Sequence, residues 1–89
     1  MTNHGRVGAN NRTVDWAVER VGRRWNAVLE QITWTSEEIV VIRVGLQRES
    51  IDDTIAKLQH RADASGFDAP LVAQAIEALK DAADEEAKQ

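Results

Sequence analysis

The sequence has no cysteine and no tyrosine, one proline, one phenylalanine and two histidines among 89 residues. Without cysteine there can be no disulfide, no thiolate nucleophile and no Cys-type zinc site, which suits a reducing compartment such as the cytoplasm. His4 and His60 form neither an HxxxH nor an HExxH pair, so no metal-ligand spacing is present. GRVG near the start lacks the preceding strand and the lysine of a phosphate-binding loop. No apolar run approaches the ~20 residues of a membrane span. The opening MTNHGRVGANNR has no apolar core of a secretory signal. These absences point away from an enzyme, a cofactor or metal site and a membrane protein, and towards a small cytoplasmic domain.

What is there is charge, unevenly spread. The formal net charge is −4. Up to Trp25 five arginines face two acids, a net +3, and from Asn26 onward six Lys/Arg face thirteen Asp/Glu, a net −7. A basic head on an acidic body can meet an acidic partner with one end. Residues 1–12 are rich in Gly and Asn and read as a disordered basic arm ahead of a single helical domain over 13–89.

Val14, Val18, Val21, Trp25, Val28 and Ile32 follow one another in steps of four and three. Thr13 precedes them as an N-cap, with Asp15 in the first turn. The spacing predicts a helix over 14–32 that packs on another helix. On such a helix Trp16 lies opposite the stripe, with Arg12, Arg20 and Arg23 around it. With Arg24 these residues form the candidate partner-binding patch, and the long stripe makes a homodimer a candidate assembly.

Thr35-Ser36-Glu37-Glu38 has the form of a capping box ahead of Ile39-Val40-Val41-Ile42, and predicts a second helix over 36–47. The β-branched residues favour strand instead. Ser50 with Asp53, and Asp68 with Pro70 in the first turn, predict helices over 50–64 and 68–86. The adjacent acids Glu37-Glu38 and Asp52-Asp53 then serve capping, not catalysis. The expected fold is all-α, a bundle of about four helices. The alternative is a ribbon-helix-helix-like chain with a strand at 39–46 that pairs with a second copy.

Trp34-Thr35-Ser36-Glu37-Glu38, followed by apolar positions and then Ser50-Ile51-Asp52-Asp53-Thr54-Ile55-Ala56-Lys57-Leu58, resembles the first two helices of Myb/SANT-like helix-turn-helix domains. The resemblance implies a DNA-binding trihelical fold. The stretch where that family reads DNA, Asp68 to Lys80, offers only Gln74 and Lys80 and no arginine. A ribbon-helix-helix arrangement would read DNA through Arg43 and Gln47. Affinity for DNA needs Lys/Arg on phosphates, and the acidic chain offers few. The function expected from the sequence is therefore a non-enzymatic protein-interaction module, an adaptor, regulator or inhibitor working through a helix face. A small dimeric DNA-binding regulator is the alternative.

Overall fold

A computed structural model describes residues 3–88. Four strands come first: β1 (Asn3–Ala9), β2 (Arg12–Val21), β3 (Arg24–Trp34) and β4 (Ile39–Arg48). Two helices follow, α1 (Ile51–Ala64) and α2 (Ala69–Ala87). The strands form one antiparallel sheet in the order β1-β2-β3-β4. Both helices cover one face of it, α2 over β1 and β2, α1 over β3 and β4.

The all-α bundle expected from the sequence is thus replaced by a mixed fold. The helix over 14–32 is a hairpin of β2 and β3, and the helix over 36–47 is a turn followed by β4. The reason lies in the spacing. A step of four returns to the same face of a strand as surely as to the same face of a helix, since strand side chains alternate with period two. Val14 and Val18 therefore share the covered face. The steps of three, which would separate the two readings, are changes of face, one within β2 (Val18 to Val21) and one within β3 (Trp25 to Val28). On β3 the side chains of Trp25, Ala27, Leu29 and Gln31 are buried, while Asn26, Val28, Glu30 and Ile32 between them are less so. That is strand alternation.

The turns explain why the chain folds back. Val21 pairs with Arg24, leaving Gly22-Arg23 as a two-residue loop in which Gly22 has φ 63°. Positive φ at the first central position is the II′ geometry that matches strand twist. Asn10 takes φ 62° in the loop between β1 and β2. Residues 3–9 are accordingly an edge strand where the composition suggests a disordered arm. The Thr35 hydroxyl does accept the N–H of Glu38 at 3.0 Å, as a cap would, and that of Glu37 at 3.3 Å. The Thr35 hydroxyl and the Thr35 backbone N–H both donate to the Glu38 carbonyl, at 3.0 and 2.9 Å. The same local bonds that start a helix here close a β-turn. The helix-turn-helix arrangement over 34–58 does not form, because its first helix is β4. The strand alternative at 39–46 lies within β4, but its partner is β3 of the same chain, which is not a ribbon-helix-helix arrangement.

The two C-terminal helices coincide with those the caps predict. Ser50 Oγ accepts from Asp53 N–H at 3.2 Å, and Asp68 Oδ1 from Leu71 N–H at 3.1 Å. Their apolar stripes, Ile55, Leu58 and Ala62 on α1 and Val72, Ala75, Ile76, Leu79 and Ala83 on α2, meet Val14, Val18, Trp25, Ala27, Leu29 and Leu46 of the sheet in one core.

One polar node fixes helix to sheet. Buried Gln31 accepts the backbone N–H of Asp68 through Oε1 at 2.7 Å, while Asp68 caps α2 and its Oδ2 meets Arg12 Nη1 at 3.3 Å. Replacing Gln31 by leucine adds apolar volume yet strands the Asp68 N–H. Gln31→Leu should therefore destabilise by about 1–3 kcal/mol, the cost of an unsatisfied buried donor. A denaturant melt checks this, and an unchanged midpoint would show that the node does not hold α2.

Candidate functional site

The face of the sheet away from the helices is open. The register places Arg6, Asp15, Glu30 and Arg43 directly opposite one another across all four strands, and His4, Ala17, Val28 and Gly45 in the adjacent row. Ala17 and Gly45 in the second row leave room for a shallow trough of about 470 Å³, lined also by His4 and Val28 and bordered by the charged row. Arg6 and Asp15 form a two-pronged ion pair at 2.6 and 3.1 Å. This hydrogen bond, and then the charge of Asp15, raise the pKa of Arg6 above its already high ordinary value. The pair is solvated, so it orients the two side chains more than it stabilises the fold. Among the described residues no cluster of His, Cys, Asp or Glu is placed to hold a metal ion, and no helix is long and apolar enough to cross a membrane.

Beyond the trough, towards the start of β4, the surface turns apolar. Ile39 is 63% exposed, Val41 54% and Val40 40%. Ile39 and Val41 lie on the open face, which neither helix covers, and the lengths of the elements explain Val40. At 1.5 Å per residue the fourteen residues of α1 span about 21 Å, whereas the ten residues of β4 span roughly 33 Å. α1 begins just past the end of β4, and the connection to α2 is pinned at Asp68 by Gln31, which stands opposite Ile42. Val40 lies past that point. On the open face Ile39 and Val41 stand opposite Trp34 and Ile32. Both faces of this end of β4 are thus apolar.

β4 is also an edge, and its outward backbone groups can be identified. In an antiparallel ladder both groups of one residue point to the same side, and successive residues alternate. Trp34 N–H donates to Asn11 O at 2.8 Å, so the even residues of β3 bond to β2. Thr35 N–H donates to Glu38 O at 2.9 Å, so the odd residues of the β3 side bond to even residues of β4. The groups of Ile39, Val41, Arg43, Gly45 and Gln47 therefore face outward. Arginines occupy two of their carbonyls: Arg61 Nη1 donates to Gly45 O at 3.1 Å, and Arg48 Nη1 to Gln47 O at 2.8 Å. The other edge, β1, has seven residues, two of them glycine, with Gly8 at φ 96°. Short, irregular and polar edges resist strand addition, and long apolar ones invite it.

The residues singled out from the sequence are spread by this fold. Arg12 pairs with Asp68 at one end of β2. Arg20 lies near the other end, over the Trp25 ring at 5.7 Å from its centroid, close to Arg23 in the turn and Arg24 at the start of β3. Trp16 is half-buried between them, packed against the core and over Gly5, where an added Cβ would lie 2.7 Å from the indole. Arg43 and Gln47 share the open face of β4, and Arg43 borders the trough. The exposed residues Ile39, Val40 and Val41 were legible only as apolar β-branched residues. The exposure of Val40 depends on where α1 stops, and that of Ile39 and Val41 on facing away from both helices. No protein-family model, curated protein or solved structure matches the chain.

Trp16 replaces the side chain that its cross-strand neighbour lacks, an aromatic covering a strand glycine. Gly5→Val should displace the indole from β1 and redden its fluorescence, with a loss of about 1–3 kcal/mol as for an overpacked site. Emission and stability equal to wild type would place Trp16 elsewhere.

Proposed function

We propose that this chain is a non-enzymatic protein-interaction module, a regulator, adaptor or inhibitor, that binds by adding a strand to the free edge of β4. One observation carries the reading: outward backbone groups of Ile39, Val41 and Arg43 coincide with exposed apolar side chains on both faces of the same strand. In strand addition the main chain supplies affinity and the alternating side chains supply specificity. The surface expected from the sequence was a helix face, but residues 12–24 form strands and a turn, so the edge is the better candidate. The basic end at Arg20, Arg23 and Arg24 can steer an acidic partner towards the molecule. On the open face Asp15 and Glu30 stand between Arg6 and Arg43, and these acids oppose phosphate binding there. Cysteine-free composition favours the cytoplasm as the place of action.

Ile39→Lys and Val41→Lys put a charge on the edge without touching the core, so stability should stay within about 0.5 kcal/mol of wild type. Capture from the native cell, followed by reconstitution with purified components, tests the reading. It predicts a defined protein that binds wild type and is lost with either substitution. Binding unaffected by both would overturn it.

A further inference from the structure

We propose that the occupant of the β4 edge is a second copy of this chain, paired antiparallel about a two-fold axis at Val41. The inference rests on reading β4 as a binding edge and names its partner. Gly45 and Gln47 have outward carbonyls already taken by Arg61 and Arg48, so the open part of the edge is Ile39 to Arg43. A two-fold axis at Val41 lays this segment on itself and uses all of it. Val41 then faces Val41 of the second copy, and Ile39 faces Arg43 of the second copy. These are the outward residues, and each such pair can exchange both backbone bonds. An axis at Arg43 would set two guanidinium groups face to face and draw in the occupied carbonyls.

The side chains agree with this register. Val40 meets Ile42 of the second copy on the helix side, which extends the apolar surface beyond the end of α1. On the open face the stem of Arg43 lies along exposed Ile39 of the other copy. The charges agree as well. The same register continues to place Glu37 opposite Gly45 of the second copy, the carbonyl held by Arg61, and Glu38 one step from its Arg43. Neither Glu37, Glu38, Arg43 nor Arg61 has an ion pair among the described residues. Each end of the contact thus brings two acids to two arginines, the same way at both ends, as a two-fold axis requires. Parallel pairing would instead bring Glu37 and Glu38 of one copy against those of the other. A contact of five residues per chain is smaller than the ~800 Å² per partner of a standard interface, so the pair exchanges with monomer.

Sedimentation velocity over a range of concentrations tests this. Wild type should pass from monomer to dimer as concentration rises. Val41→Pro removes an outward N–H and no bond to β3, a place where an edge strand tolerates proline. It should weaken dimerisation at least tenfold while leaving the melt of the dilute protein nearly unchanged. If Val41→Pro fails to fold, Val41→Lys gives the same readout. Because the chain has no other cysteine, Val41→Cys adds a single thiol, and directly opposed Cα atoms about 5.5 Å apart are within disulfide reach. Mild oxidation should give a covalent dimer, whereas Val21→Cys, exposed at the far end of β2, should not. A wild type that stays monomeric, a dimer that survives both Val41→Pro and Val41→Lys, or no cross-link at position 41 would each overturn the proposal. A monomeric wild type that still loses another protein on Val41→Lys would refute self-pairing and keep the binding edge. Loss of neither kind of association would refute both.

Discussion

The hydrogen-bond ladder between β3 and β4 sets two things at once. Its register turns Leu29, Gln31, Val44 and Leu46 towards the helices and leaves Glu30, Val41, Arg43 and Gly45 on the open face. Its alternation commits the even residues of β4 to β3 and turns the odd ones outward. A slip of one residue would exchange the faces and put Arg43 where Leu46 and its neighbours pack. Burial on one face therefore holds the register, and the register determines what the edge can offer.

The helix layer is fitted to this sheet only in part. α2 crosses β1 and β2, and its end reaches back so that Glu86 Oε1 accepts the Arg20 N–H at 3.3 Å. α1 covers the half of β4 that leads into it and stops level with Ile42. The Gln31–Asp68–Arg12 node fixes where the second helix begins, and so fixes how much of β4 lies bare. An uncovered apolar end of an edge strand is a liability in a solitary domain. It is an asset in one that exists to pair. Arg61 and Arg48 occupy the outward carbonyls of Gly45 and Gln47, which leaves one short open segment.

The second half of the fold was legible in the sequence and the first half was not, for physical reasons. Ser50 with Asp53, and Asp68 with Pro70, cap real helices, because a polar residue that accepts the N–H three positions on, followed by a helical stripe, has little competing geometry. Thr35 makes the same bond to Glu38, but a hairpin turn uses it equally well, and the β-branched residues after it decide for strand. The stripe from Val14 to Ile32 misled because steps of four are common to both periods. Gly22-Arg23 and Asn10-Asn11 were two-residue turns hidden inside what read as a helix and an arm. The strand that pairs with β4 thus lay directly upstream in the chain. At the site, Arg43 was visible as a side chain of interest. The exposure of Ile39, Val40 and Val41 was not, since it follows from which face of the sheet the helices cover and, for Val40, from the relative lengths of α1 and β4.

Amide hydrogen exchange along β4 in dilute solution tests the central claim most directly, since it reads each residue's bonding partner. Val40, Ile42, Val44 and Leu46 should exchange slowly, while Ile39, Val41 and Arg43 exchange quickly, with shifts of extended backbone throughout. Uniform protection over 36–47 with helical shifts, or slow exchange of the odd residues in the monomer, would contradict the ladder and everything argued from it.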